Sequence, residues 1–161
     1  MKNTSPLALP RGPSYLIYED MPKYDPTMKI LVAVILGALV AMGIVLLLYA
    51  VEGAIAMFGD TLLVALIFYF VFPRRYQVFN TKLRIVLGWP LGWNIPLSTV
   101  KEAHAAPGIA RWVYFGVRLA TSSGTEVEVV RKKGMNVIIS PSNRETFLEQ
   151  LNHAVEVAQG S

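Results

Sequence analysis

The chain has no cysteine, and this absence excludes several kinds of chemistry. Without thiols it cannot form disulfides, bind metal through thiolates or use a cysteine nucleophile. Histidine is scarce too, since His104 and His153 are the only two and stand far apart. The sequence also lacks the nucleophile-elbow, zinc-protease, P-loop and dinucleotide-binding patterns. We therefore expect no catalytic residue, no cofactor and no metal, and predict that the protein is not an enzyme.

Charge is absent from one long stretch and nearly absent from a second. Ile30–Val51 is a run of 22 residues with no charged side chain. As a helix it would be about 33 Å long, enough to cross a hydrocarbon core of about 30 Å. Ala54–Phe72 is a second apolar run, interrupted only by Asp60. The remaining residues are too few to bury two helices that are apolar all round. We predict a transmembrane hairpin at residues 29–73, with spans 30–51 and 54–72 and a turn at Glu52-Gly53.

Basic residues flank the two outer ends of the predicted hairpin but not its turn. Lys23 and Lys29 precede the first span, Arg74 and Arg75 follow the second, and the turn has no lysine or arginine. The positive-inside rule then predicts an inner-membrane protein with both termini in the cytoplasm. From Arg74 onward there are 11 basic and 6 acidic residues. Next to a bilayer, this excess favours anionic lipid headgroups over nucleic acid as a partner.

Small residues recur every fourth position in the first span, at Ala33, Gly37 and Ala41. They share one helix face and would let another helix approach closely. We expect the second span to pack there. A homodimer through the same face is the alternative.

Asp60 is the one carboxylate inside the second run. A carboxylate in lipid is unfavourable and can mark an ion or proton path. Alternatively, Gly59-Asp60-Thr61 is suited to a helix start, which would place Asp60 near the outer headgroups. We favour the helix start.

Residues 1–28 contain five prolines, which suppress both helix and sheet pairing. We interpret this segment as a disordered tail. Its apolar cluster Tyr15–Tyr18 could instead lie at the membrane interface or add a strand to another surface.

After the hairpin the pattern changes to the alternation of half-buried strands. About seven short antiparallel strands are predicted, at residues 76–80, 82–87, 94–97, 98–106, 111–121, 126–131 and 136–140. Residues 122–124 have the composition of a hairpin turn between the fifth and sixth strands. A final helix is predicted from the capping box of Ser142 and Glu145, with an apolar stripe through Phe147 and Leu151.

This order of elements resembles the bacterial pleckstrin-homology-like (PH-like) domains of small membrane proteins. The resemblance rests on Tyr76-x-Val-Phe-Asn-Thr-Lys-Leu-Arg-Ile, on Ile95-Pro-Leu-Ser-Thr-Val100 and on Ile138-Ile-Ser-Pro-Ser-x4-Phe147-Leu-x2-Leu151. It covers the hairpin and a cytoplasmic domain at residues 74–158. It implies an α+β protein in which a strongly bent antiparallel sheet, nearly a barrel, is capped by the C-terminal helix. It implies no defined ligand.

Two groups of basic residues are candidates for contact with a membrane surface or with another anionic partner. Lys82 and Arg84 lie on one side of their strand, and Arg131-Lys132-Lys133 forms a loop tip. Such bases could dock the domain on anionic lipid, although an ordinary solvated loop is the alternative. Among the aromatics, we expect Trp89 at the membrane interface and Trp93 inside the domain.

These observations predict a membrane-anchored binding or scaffold module. It would act through a protein partner, through copies of itself or through the lipid surface. A small transporter or channel subunit that uses Asp60 is the alternative function.

Overall fold

The computed structural model describes residues 13–106 and 116–160 of the 161-residue chain. In these residues two long helices are followed by a two-sheet domain and a last helix. The elements are β1 Leu16–Asp20, α1 Pro26–Leu47, α2 Val51–Val71, β2 Arg75–Phe79, β3 Lys82–Val86, β4 Gly92–Pro96, a 3-10 turn Leu97–Thr99, β5 Val100–Ala105, β6 Gly116–Arg118, β7 Val127–Arg131, β8 Asn136–Ile139 and α3 Arg144–Gln159.

The helical hairpin is confirmed as two helices, but both begin earlier than the charge pattern indicates. Pro26 is the first residue of α1. The backbone N–H at this position has no partner within a helix, so proline, which lacks it, loses no hydrogen bond. The turn occupies residues 48–50, and Glu52 lies in the first turn of α2, where the helix dipole favours a carboxylate. The predicted turn at Glu52-Gly53 is therefore wrong. Both helices are long and apolar enough to cross a membrane, with mean hydropathies of 3.1 and 2.1.

The two helices pack against each other through Gly43. A Cβ at this position would come within 2.9 Å of the Phe58 ring, so a larger residue would require that ring to shift. Gly37 has nothing within 4 Å of a Cβ, and Ala33 and Ala41 are exposed. The expectation that this small-residue face packs on the second span is wrong, because Gly37 and Gly43 point to different sides of α1. A homodimer through it stays a prediction.

Asp60 is the tenth of the 21 residues of α2, and it is exposed. Because the helix begins at Val51, the interpretation of Gly59-Asp60-Thr61 as a helix start is wrong. The carboxylate lies about halfway along the helix.

Part of the predicted tail is a strand. β1 pairs antiparallel with β2, with Glu19 opposite Gln77 and Asp20 opposite Tyr76. The disordered interpretation is therefore wrong for residues 16–20. The strand covers an edge of β2 that would otherwise be unpaired. This agrees with the alternative prediction that the cluster Tyr15–Tyr18 adds a strand to another surface. Residues 1–12 lie outside the described part of the chain.

Eight strands form two four-stranded sheets in the described residues, in the orders β1-β2-β3-β4 and β5-β7-β8-β6. The α+β class is confirmed, but a closed barrel is not formed and the pairing is not wholly antiparallel. β6 runs parallel to β8, and β7 pairs with β5 and β8. The predicted hairpin through residues 122–124 is therefore wrong, because that loop contacts the N-terminal segment instead. Of the predicted strand 111–121, residues 111–115 lie outside the described chain.

The core lies between the sheets and α3. Alternate residues of β2 and β3 are buried, as the period-two pattern predicts, and Phe147 and Leu151 of α3 are fully buried against them. The helix cap differs by one residue from the prediction. The Asn143 side chain accepts a hydrogen bond from the Thr146 backbone at 3.3 Å, whereas Ser142 donates its backbone N–H to Met21.

Candidate functional site

The helical hairpin joins the domain at one end, which we call the proximal end. It comprises the start of β2, the turn at residues 87–91, the loop Thr121–Ser123 and Ser140. A Cβ added to Gly88 would overlap the backbone of Tyr69, so this turn lies directly on the last turns of α2. β2 and β8 each connect this end with the opposite, distal end, which comprises residues 80–81, Leu97–Thr99 and 132–135.

The segment that enters α1 is bound to the proximal end by buried hydrogen bonds. The Lys23 backbone donates to the Ser140 carbonyl at 2.9 Å and accepts from Thr121 Oγ1 at 2.6 Å. The Thr121 backbone donates to Ser140 Oγ at 2.8 Å. Since Thr121 and Ser140 are 5% and 0% exposed, the hydrogen bonds between these two residues are shielded from water, and the Thr121–Lys23 hydrogen bond is partly buried.

Asp25 ties the first residue of the hairpin to the same loop. Its carboxylate accepts hydrogen bonds from Ser122 Oγ at 2.8 Å and from the Ser123 backbone at 2.9 Å. These bonds lower the pKa of Asp25 below its ordinary value. The Asp25 side chain therefore binds the domain, whereas its backbone carbonyl accepts hydrogen bonds from Met28 and Lys29 of its own helix.

The segment that leaves α2 is held as well. The Tyr24 hydroxyl donates to the Pro73 carbonyl, and the Tyr24 ring meets Phe72 edge-on with centroids 6.1 Å apart. Burial raises the pKa of Tyr24. Both ends of the hairpin are thus attached to each other as well as to the domain.

β1 contributes a charged contact beside this junction. Glu19 accepts a hydrogen bond from Gln77 Nε2 at 2.6 Å and pairs with Arg75 at 2.9 Å. The Gln77 bond, followed by Arg75, lowers the pKa of Glu19. Beneath it, burial raises the pKa of the fully buried Tyr76, whose hydroxyl lies 3.4 Å from the Ser140 backbone nitrogen.

The predicted basic residues lie away from the hairpin. Lys132 donates its backbone N–H to the Thr99 carbonyl at 2.7 Å and its ammonium to Gln159 at 2.8 Å. Lys82 pairs with Pro96, just before the same 3-10 turn. Lys82 and the loop of Arg131, Lys132 and Lys133 therefore gather at the distal end, and Arg84 lies on the exposed face of β3 between the two ends. From Lys82 to the proximal end of β3 is roughly 13 Å.

The predicted aromatic residues lie near the hairpin. Trp89 is 82% exposed in the turn that begins at Gly88, which places it at the proximal end. Trp93 is half-buried and packs against the core. The interfacial role of Trp89 stays a prediction, with a position that suits it.

The described residues contain no group of three or more histidine, aspartate or glutamate side chains that could hold a metal ion. His104 and His153 are both exposed and lie on different elements, β5 and α3.

A family model described as a bacterial PH domain matches residues 74–155, about half of the chain. The chain belongs to this family, which confirms the resemblance. No curated protein and no solved structure matches the chain. β1, which pairs with the first strand of this domain, lies outside the matched residues.

Sequence reasoning missed the hydrogen bonds that fix the junction. Asp25-Pro26 did carry a signal, because an acidic residue before a proline is typical of a helix start. The sequence instead predicts Thr121 as the end of a strand and Ser122-Ser123-Gly124 as a hairpin turn. The partners of Thr121 and Ser122 lie almost 100 positions away in sequence, and no local pattern reveals them.

Proposed function

We propose that the protein is a two-pass inner-membrane protein whose bacterial PH domain is held in the cytoplasm as a binding module. It acts by binding rather than by catalysis, and its distal end receives an acidic surface of a partner protein. The observation that carries this proposal is the position of the basic loop at the end of the domain opposite the hairpin.

The distribution of charge around the hairpin supports the membrane topology. Lys23, Lys29, Arg74 and Arg75 lie at the end of the hairpin that joins the domain, and the turn at residues 48–50 has no charge. The helix surfaces are apolar, and only 6% of the most apolar 18-residue stretch of each helix is buried by the rest of the chain. Lipid is the environment that such surfaces suit.

The attachment of the domain at several points supports a fixed orientation. Hydrogen bonds hold the chain both where it enters α1 and where it leaves α2. A domain held in this way cannot turn its distal end toward the bilayer that the hairpin spans. The basic loop is thus presented to the cytoplasm, where charge complementarity selects acidic partners and accelerates association.

Topology is tested with single cysteines, which the cysteine-free chain permits without background. Tyr49, 82% exposed in the helix turn, and Lys133 are each replaced by cysteine. A membrane-impermeant maleimide added to intact cells should label position 49 and should label position 133 only after permeabilisation. Labelling of position 133 in intact cells would refute the topology.

The partner class is tested by a photo-crosslinking amino acid at Lys133 or Trp89 in native membranes. Position 133 should give protein adducts, and position 89 should give lipid adducts. Lys101 is the second residue of β5, next to the distal end. A photo-crosslinking amino acid at Lys101 should form at least fivefold fewer protein adducts when Lys82→Glu and Lys133→Glu are combined. Arg144→Glu together with Arg84→Glu has the same charge change outside the distal end and should leave them unchanged. Lipid adducts at position 133 would favour docking on the membrane surface instead.

One observation favours a transporter or channel subunit as a second candidate. Asp60 lies halfway along α2 and is exposed, where an ionisable side chain is unfavourable in lipid. Proteoliposomes containing the wild type and Asp60→Asn separate the two functions. Ion flux that depends on Asp60 would support transport, and equal flux in the two proteins would exclude it.

A further inference from the structure

A cleft of about 600 Å³ lies where the hairpin meets the proximal end. Its walls are apolar side chains of both helices, including Val32, Ala65 and Phe68, and Arg74 and Arg75 stand at the domain side. Val32 is the seventh residue of α1 and Ala65 the seventh from the end of α2. At 1.5 Å per residue the cleft reaches about 9 Å into the helices. It therefore combines an apolar wall at membrane depth with a cationic rim.

Arg74 and Arg75 differ in how their charges are matched. Arg75 forms an ion pair with Glu19 at 2.9 Å. Arg74 is exposed and has no carboxylate partner among residues 13–106 and 116–160. Its guanidinium lies 4.3 Å from the centroid of the Tyr69 ring, and its backbone N–H donates to the Val86 carbonyl at 2.7 Å. Arg74 is thus a positioned cation whose anion does not come from the described protein.

A neighbouring cleft extends the apolar wall. It has a volume of about 490 Å³ and shares Tyr24, Val32 and Phe72 with the first. Apart from Lys29 and the Tyr24 hydroxyl, its lining is apolar. The two clefts thus adjoin each other, and each combines an apolar wall with cationic side chains, Arg74 and Arg75 in one and Lys29 in the other.

We propose that these clefts bind one anionic phospholipid, with its phosphate on Arg74 and its acyl chains along the apolar walls. The planar guanidinium matches phosphate oxygens in a bidentate manner, and the Tyr69 ring holds it in place. A free phosphate would leave the apolar walls unused. A zwitterionic lipid such as phosphatidylcholine would bring its choline cation close to Arg74, Arg75 and Lys29, where an anionic lipid adds no positive charge. This inference rests on the proposed function, since it requires the helices to lie in a bilayer.

The test uses the full chain in detergent micelles, with native mass spectrometry counting bound lipid. Phosphatidylglycerol should bind at least tenfold more tightly than phosphatidylcholine. Arg74→Gln should lower the affinity for phosphatidylglycerol about tenfold, equivalent to about 1.4 kcal/mol. Arg84→Gln, an exposed arginine outside the cleft, is the matched control and should retain the preference. Equal binding of the two lipids by the wild type, or an equal loss in both variants, would overturn the proposal.

A second pair of variants tests the apolar wall without changing charge. Ala65→Phe fills the cleft and should weaken phosphatidylglycerol binding severalfold, whereas Ala56→Phe on the exposed side of the same helix should not. Inorganic phosphate at millimolar concentration should not displace the lipid. Displacement by phosphate, or an equal effect of the two phenylalanines, would refute a lipid with its chains in the cleft.

The cysteine-labelling experiment separates this proposal from the proposed function. A chain that spans the membrane in the expected orientation but binds phosphatidylglycerol and phosphatidylcholine equally refutes the lipid site alone. A chain that is not labelled as a two-pass protein refutes the proposed function and removes the basis of the lipid site with it. Equal melting temperatures of the wild type and Arg74→Gln show that the variant is folded, and the comparison of the two lipids in the wild type does not depend on any variant.

Discussion

Removing one hydroxyl group from Thr121 should loosen the attachment of the hairpin to the domain. Thr121 Oγ1 donates to the Lys23 carbonyl at 2.6 Å and lies 3.2 Å from Ser140 Oγ. Thr121→Val keeps the size of the side chain but leaves the Lys23 carbonyl without this donor. An unsatisfied group that was hydrogen-bonded in a buried network destabilises by about 1–3 kcal/mol. For a chain of this size that corresponds to a melting temperature about 3–10 °C lower.

Thr125 supplies a matched control four residues away. Its Oγ1 is buried and has no hydrogen-bond partner in the described part of the chain. Thr125→Val makes the same chemical change but removes a hydroxyl that is already unsatisfied, so its effect should be neutral or stabilising. The two variants differ in whether the lost hydroxyl is hydrogen-bonded, to the Lys23 carbonyl and to Ser140, or has no partner.

The assay is thermal unfolding of the full chain in detergent, followed by tryptophan fluorescence. Limited proteolysis of the folded protein should also show faster cleavage near Lys23 in Thr121→Val than in Thr125→Val. Equal melting temperatures for the two variants would refute the reasoning, because the Thr121 hydroxyl would then contribute nothing to the junction.

Two further predictions concern the same junction. Gly88→Ala would place a Cβ 2.7 Å from Tyr69 Cδ1, where ordinary contact begins at 3.4 Å. It should destabilise the protein by about 1–3 kcal/mol in thermal unfolding, whereas Gly37→Ala, which meets open space, should not. The hydrogen bonds of Glu19 and Asp25 lower the pKa of each. A carboxyl group whose pKa is lower in the folded state than in the unfolded state stabilises the folded protein at pH values above its unfolded-state pKa. That unfolded-state pKa is about 4.3 for Glu and 3.9 for Asp. The melting temperature should thus hold from pH 7 to about 5 and fall below about 4, and a Glu19→Gln, Asp25→Asn double variant that falls just as steeply would contradict this origin.

The clearest sequence predictions depended on local pattern. The absence of charge from residues 30–51 predicted a long apolar helix because lipid-compatible surface is a property of composition alone. Period-two alternation in residues 76–87 predicted the buried positions of β2 and β3 because neighbouring side chains of a strand face opposite sides. The motifs of these strands and of α3 were also sufficient to identify the family.

Helix boundaries were less well predicted, for a physical reason. Hydropathy does not distinguish Pro26–Lys29 from a polar linker, yet these residues already have helical geometry because proline fits a first helical position. Local pattern also placed the N-cap of α3 one residue too early, at Ser142 instead of Asn143, because serine and asparagine are both good N-cap residues. Tertiary hydrogen bonds selected between them.

What the sequence by itself determined is the division of this protein into an apolar hairpin and a basic bacterial PH domain, because both follow from side-chain chemistry read along the chain. Only the tertiary structure decided that residues 16–20 complete the first sheet, that β6 lies parallel to β8, and that the basic loop faces away from the hairpin while Arg74 faces its cleft. These features depend on contacts between residues far apart in sequence. Such contacts are set by how the whole chain packs, so no local period or motif encodes them.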